Sequence, residues 1–270
     1  MQQSVPVSVP FDAIAAAYDD SFSHSSIGRV QRDLVWLEAD RAFGAGQHIL
    51  EINCGTGIDA LHLASRGVKV LACDAAPRMI EVARGRLNAS AFAGDVDVRC
   101  VAIEQLSMLE VEEPYDGILS NFAGLNCVRD LNSVVRDMSR LVRPGGKLVL
   151  CLFGRFCVWE IFFYTLRSDF RRGFRRFRRE GAVAVLAPGS EVLVHYPNVR
   201  ELRRIFSPYF RLERWRGVGI SVPPSYLEGF AVSFPRLFKF AADIDARFGE
   251  CRGLRALADH VVLTFERSNA

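Results

Sequence analysis

The chain has 270 residues, half of them hydrophobic and 24% charged, which is enough apolar material for the core of one large α/β domain or of one domain with an insertion. This composition excludes a disordered or fibrous chain. With 34 basic against 31 acidic residues the formal net charge is only +3, so the overall balance asks for no polyanion and no nucleic acid is expected as a partner.

The seven cysteines are an odd set without a C-x-x-C pair, and most lie in apolar runs such as VLACD and LVLCLF, where a free thiol behaves as a small hydrophobe. That placement fits a reducing compartment, and a cytoplasmic protein is expected. The N-terminal stretch MQQSVPVSVPFDAIAAAYDD has no basic start followed by an apolar core. The longest apolar run, near FCVWEIFFYTL, is shorter than the ~20 residues of a membrane span.

In chain order, FDAIAAAYDD and RVQRDLVWLEADRAF read as two amphipathic helices before the first strand, because their apolar residues recur three and four apart. HILEIN then reads as a buried strand, CGTGI as a tight glycine turn, and DALHLASRG as a helix closed by Gly67. VKVLACD is a second strand, followed by the helix APRMIEVARGRLNAS with Pro77 in its first turn. The alternation continues through DVRCVAI, YDGILSN, the helix LNSVVRDMSRLVR, the turn PGG and the strand KLVLCLF. Such spacing implies a parallel, doubly wound sheet with its sites at the carboxyl edge.

After Phe153 the rhythm breaks. GRFCVWEIFFYTLRSDFRRGFRRFRRE reads as a long basic, aromatic helical stretch, followed by the short strands AVAVLA and EVLVHY. Four regions are therefore expected: an N-terminal helical cap over 1–43, a cofactor-binding core over 44–153, a lid or insertion over 154–197, and a C-terminal completion of the sheet over 198–270.

The stretch from Glu51 to Gly57 lies where a strand ends and a helix begins, and its glycines let the backbone approach a ligand at a positive helix end. Asp74 ends the next strand, where an acid accepts both hydroxyls of a ribose. An adenosine-type cofactor follows. Gly55 to Ala60 also satisfies G-x-G-x-x-A, so an NAD(P)-dependent oxidoreductase is the competing reading. Glu51 decides against it, because a carboxylate beside the turn repels a pyrophosphate and attracts an ammonium. A third alternative is a non-catalytic adenosyl- or RNA-binding module.

FDAIAAAYD, ILEINCGTG, VLACDAAPRMIEVAR, YDGILSN and LVRPGGKLVL occur in the order that resembles the class I, Rossmann-like S-adenosylmethionine-dependent methyltransferases of small molecules. The resemblance implies a mostly parallel seven-stranded sheet whose antiparallel last strand, HVVLTFER, inserts beside the fifth. It implies S-adenosyl-L-methionine as cofactor and methyl transfer to a small-molecule acceptor by in-line displacement; no metal-ligand cluster such as H-E-x-x-H occurs in the sequence, so a metal-independent enzyme is expected. Carried over by position, it places Glu51, Asn53, Gly55 and Gly57 around the methionine portion, with Tyr18 above its carboxylate. Asp74 takes the ribose, with Ala75 and Met79 beside the adenosine. Ala102, Ile103 and Glu104 flank the adenine, and Asn121 with Phe122 borders the transferred methyl. Asn53 stands where the family has glycine, which asparagine replaces best because it tolerates left-handed backbone. The acid that contacts the adenine amine after the third strand is missing.

His195 and Tyr196 follow the lid and are the candidates for a catalytic base; His24 is weighed beside them. Cys127 reads as packing rather than as a nucleophile. Phe156, Trp159, Phe163 and Tyr164 imply a hydrophobic or aromatic acceptor. Arg167 to Arg179 carries seven arginines, with Phe170, Phe174 and Phe177 on one helical face, a pattern either for a helix packed by its phenylalanines and solvated by its arginines or for a basic lid that recruits an anionic acceptor, a carrier protein or, peripherally, a membrane surface.

Overall fold

The computed structural model describes residues 9–269. The first eight residues, on which the reading of the N-terminus partly rests, lie outside the described residues. The strands are β1 (His48–Ile52), β2 (Lys69–Asp74), β3 (Val96–Cys100), β4 (Tyr115–Ser120), β5 (Val142–Phe153), β6 (Ala182–Ala187), β7 (Ser190–Val194), β8 (Phe210–Val218) and β9 (His260–Arg267). The α-helices are α1 (Ser26–Ala42), α2 (Ile58–Ser65), α3 (Pro77–Asn88), α4 (Leu131–Leu141), α5 (Val158–Leu166), α6 (Phe170–Gly173), α7 (Val199–Phe206), α8 (Glu228–Ser233) and α9 (Pro235–Phe248).

Seven strands form one sheet in the order β3-β2-β1-β4-β5-β9-β8. β1 to β5 run parallel, and β9 is antiparallel to both β5 and β8, as the resemblance implies. Successive residues of a strand serve opposite layers. Leu50, Ile118 and Leu150 join a core with Val134, Val135 and Met138 of α4 and Phe206 of α7. Ile49, Leu119 and Val149 join a second core with Val35 of α1 and Leu63 of α2. Burying each such side chain contributes about 1.5–3 kcal/mol, so burial on both faces explains why the strands read as unbroken apolar runs.

Two expected elements differ from their patterns. FDAIAAAYDD is not an α-helix: it folds as a 3-10 turn over Pro10–Ile14 and a π-turn over Asp19–Ser23. Its acids are committed to the core domain instead of to a helix of their own. Asp12 accepts the N–H of Arg78 at 2.9 Å, while Asp19 accepts the Thr56 hydroxyl at 2.8 Å and pairs with Arg86.

The arginine-rich run is not one helix either. It breaks at Ser168, whose φ of 58° ends α5, and Asp169 then caps α6 by accepting the N–H of Arg172 at 3.1 Å. The PGG turn survives as an irregularity inside β5, where Tyr115 pairs with Val142 but Gly117 pairs with Lys147. β6 and β7 form a separate antiparallel hairpin, and the hydroxyl of Ser190 donates to the Pro10 carbonyl at 2.7 Å. N-terminal segment and hairpin are thus joined above the carboxyl edge of the sheet. Among the described residues no helix is long and apolar enough to cross a membrane.

Candidate active site

β1 delivers Glu51 and Asn53 to the carboxyl edge, and the chain must then turn sharply into α2. The turn is left-handed at three residues, with φ of 57° at Asn53, 53° at Gly55 and 75° at Gly57. Glycine takes this backbone without penalty and asparagine better than most, which accounts for the departure at position 53. The Asn53 amide donates to Ser120 Oγ at 3.0 Å and packs against Gly124, where a Cβ would fall 2.3 Å from Asn53 Cγ. Gly124 is a site residue that carried no signal in the sequence.

Asp74, at the end of β2, accepts the Gly55 N–H at 2.9 Å through one oxygen and the Ala76 N–H at 2.9 Å through the other. It therefore fixes the glycine turn and the entry to α3 together. Burial raises its pKa, against the lowering effect of these N–H donors.

These elements enclose a cavity of about 240 Å³. Tyr18, Asn53, Gly55, Asp74, Ala75 and Met79 line it, and so do Ile103, Glu104, Asn121 and Phe122. Ten expected cofactor residues therefore meet in one space. Gly57, Ala102 and Glu51 are not in the wall. Gly57 is instead the N-cap of α2, and Ala102 precedes a short 3-10 turn. Glu51 is completely buried and neither of its carboxylate oxygens has a hydrogen-bond partner. Burial, reinforced by Asp59, holds its pKa well above the ordinary glutamate range. The charged side chains in the wall are Asp74 and Glu104, and it holds no Lys or Arg. Such a lining suits a cationic ligand and opposes a diphosphate.

A second cavity of about 430 Å³ adjoins the first. The two share Phe11, Tyr18, Phe122, Cys127 and Val192 as walls. Burial pushes the Tyr18 phenol up to about 12, against the opposing pull of Arg32, and so keeps it neutral. Burial likewise pushes the Cys127 thiol up to about 11, which removes the thiolate a nucleophile needs. Phe122 and Ala123 both hold positive φ, 48° and 67°, a costly conformation for side-chain-bearing residues that is found where a site over-determines the backbone.

His260, at the start of β9, also lines this chamber. Its ring stacks on Phe153 with centroids 4.6 Å apart, and its Nδ1 lies 3.4 Å from Asp259 Oδ2 without a hydrogen bond. Burial lowers its pKa, so the imidazole is neutral near pH 7. Neither His195 nor Tyr196 lines either cavity. The backbone of His195 is tied to Asn126, and Tyr196 packs on Phe153. His24 stands on the surface beside Asp20 at 3.5 Å.

Residues 49–146 match a family model described as a methyltransferase domain. A curated demethylmenaquinone methyltransferase from Clavibacter sepedonicus is 33% identical over 150 residues, covering 54% of this chain and 58% of that protein. Residues 49–146 are a methyltransferase domain of the class I, Rossmann-like kind.

A ubiquinone biosynthesis O-methyltransferase from Chromobacterium violaceum is 38% identical over 102 residues, covering 38% of this chain and 42% of that protein. The chain spans about three fifths of the length of the first curated relatives it matches. Among solved structures, the N-methyltransferase NodS from Bradyrhizobium japonicum WM9, in complex with S-adenosyl-L-homocysteine, has a TM-score of 0.57 at 15% identity. It covers 96% of this chain and 97% of that one. At that identity the likeness concerns the fold.

Sequence reading missed the polar support beneath this candidate site. Asp59, in the first turn of α2, accepts from Arg32 at 2.6 Å, from the Trp36 indole at 2.6 Å and from the Asn121 amide at 3.0 Å. The Arg32 guanidinium also lies 4.7 Å from the Phe122 ring centroid. An acid at a helix N-terminus was the only local hint of this network.

Proposed function

We propose that this methyltransferase moves a methyl group from S-adenosyl-L-methionine, held in the smaller cavity, to a hydrophobic or aromatic small molecule in the adjoining chamber. The cytoplasm is the compartment proposed for it. The observation that carries the reading is the pair of cavities with a common wall at Tyr18 and Phe122, one whose charged side chains are both acids and the other lined largely by apolar side chains. When bound, the cofactor supplies a methyl group already activated by its sulfonium. The chain's task is then to align, to exclude water and to accept a proton.

Asp74 and Gly55 would hold the sugar and the methionine end, and the orphaned carboxyl of Glu51 fits a nearby ammonium. The segment carrying Tyr18, tied down through Asp19, would close the site together with residues 154–197. His260 replaces His195 and Tyr196 as the proposed proton acceptor, because it faces the chamber and they do not. The names of the relatives, one a demethylmenaquinone and one a ubiquinone methyltransferase, favour a quinol-type ring as acceptor. No observation favours the oxidoreductase or the RNA-binding reading.

Calorimetry with S-adenosylhomocysteine and with NAD tests the cofactor. Micromolar binding of the first and none of the second is expected, and the reverse order overturns the reading. Asp74→Ala should weaken S-adenosylhomocysteine binding about 30-fold, from the loss of two hydrogen bonds of about 1 kcal/mol each to a charged acceptor. Retention of wild-type affinity would show that the sugar lies elsewhere.

The state of Glu51 gives a second check. An ammonium seated beside a carboxyl whose pKa is raised pulls that pKa back down, so binding near neutral pH should release a proton. Titrations in buffers of different ionisation enthalpy should show the release in the wild type and not in Glu51→Gln. Heats independent of buffer would separate Glu51 from the cofactor.

A further inference from the structure

α5 and α9 each bury an acid and expose a stripe of apolar side chains. α5 buries its one acid, Glu160, and exposes Val158, Phe162 and Leu166, which recur every four residues along one stripe. α9 buries Asp245, which accepts the N–H groups of Ile220, Ser221 and Val222, and exposes Leu237, Phe240 and Phe248. Phe162 is 57% exposed, Leu166 71% and Phe240 61%, so these are not core residues with an edge in solvent. The two stripes flank one shallow groove of about 500 Å³ whose lining is apolar except for Ser221. A single exposed apolar residue needs no explanation, but a contiguous two-helix patch does.

Arginines adjoin the patch along the chain on both helices, while Lys239 and Asp243 on α9 pair with each other. Of the seven arginines from Arg167 to Arg179, Arg175 and Arg176 turn inward to Glu160, and Arg172 pairs with Asp169. Arg167, Arg171, Arg178 and Arg179 have no carboxylate partner among the described residues, and Arg236 on α9 is in the same position. The Arg167 guanidinium lies 3.8 Å from the Phe163 ring centroid, at the end of the α5 stripe. Apolar side chains with arginines at their margin are the arrangement by which a helix face lies in the headgroup region of an anionic bilayer.

We propose that the α5–α9 face docks this protein on an anionic lipid surface. Docking does not depend on the methyl-transfer reading, but it gives that reading a route for a lipophilic acceptor. Tyr226 lines the acceptor chamber, and its ring lies 6.1 Å from Phe163 and 6.3 Å from Tyr164 of α5. The chamber wall therefore reaches α5, the helix that carries one of the two exposed stripes.

Co-sedimentation of the full chain with vesicles of phosphatidylcholine alone, and of phosphatidylcholine with 30% phosphatidylglycerol, tests the proposal. Partition into the anionic vesicles should be at least tenfold greater and should fall as salt is raised. Phe162→Ser combined with Phe240→Ser should lower it at least tenfold, and Arg167→Gln with Arg171→Gln should remove the preference for anionic lipid. Both variants should bind S-adenosylhomocysteine as the wild type does, which certifies the fold separately from the face. Equal partition into both vesicle types, no partition, or an unaffected serine variant overturns the proposal. So does a dimer in solution that the serine variant dissociates, since the face would then be occupied by a second copy.

Discussion

Replacement of Glu160 by alanine is expected to lower folding stability by about 3–5 kcal/mol, the range for removing one partner from a buried ion pair. Glu160 accepts from Arg175 at 2.6 Å and from Arg176 at 2.8 Å, and Arg176 reaches Asp259 at 2.6 Å. Arg176, Glu160 and Asp259 have side-chain exposures of 4%, 1% and 4%, so water cannot take over the missing partner. Burial acts to raise the Asp259 carboxyl, but the charge and hydrogen bond of Arg176 hold it below its ordinary range, so it stays an anion. Without Glu160, the buried Arg176 keeps Asp259 as its one acid, and Arg175, 32% exposed, loses its carboxylate. Thermal or urea denaturation should show a fall of roughly 10 °C or more in Tm, with Glu160→Gln in between. A loss under 1 kcal/mol would mean that solvent reaches the cluster.

The second large effect concerns His260. On an acceptor that must lose an O–H proton, His260→Gln should slow methyl transfer about 10²–10⁴-fold, the usual contribution of a positioned general base. Reduced naphthoquinone with labelled methyl donor provides the assay, and affinity for S-adenosylhomocysteine should change less than twofold. Because the folded pKa lies below the ordinary imidazole value of 6.5, the ring remains an acceptor through neutral pH. The wild-type rate should therefore decline only below that value, and the acidic limb should be absent in the variant. The same shift has a stability counterpart. The unfolded chain binds a proton that the buried ring refuses, so stability present above pH 6.5 is lost as the pH falls toward the folded value. A variant within threefold of the wild-type rate, or one with an unchanged acidic limb, removes His260 from the chemistry.

What could be read beforehand follows the range of the interactions involved. The sheet, the glycine turn and Asp74 are set by local periodicity and by backbone that few residues adopt, and both leave marks in short stretches of sequence. Arg32 with Asp59, and Arg176 with Asp259, pair residues far apart in the chain and leave no such mark. The arginine run misled for a physical reason. The spacing of Phe170, Phe174 and Phe177 is helical, but Ser168 in left-handed backbone and the cap at Asp169 end one helix and start another. At the N-terminus, Pro10 and the outward bonds of Asp12 and Asp19 override the helical pattern of the alanines. His260 went unnoticed because the first residue of a strand carries no motif. It lines the chamber because β9 begins opposite Phe153, the last residue of β5.

The position of β9 between β5 and β8 also bears on how the chain comes to be folded. β5 ends at Phe153, and its neighbour does not begin until His260. During synthesis the growing sheet therefore presents a long, apolar, hydrogen-bonding margin that the nascent protein cannot yet seal, the kind of surface that recruits strands from other molecules. Ribosome-stalled or prematurely terminated products should be markedly sticky, and a fragment ending at Phe153 is a poor choice for isolating the half that carries β1 to β5.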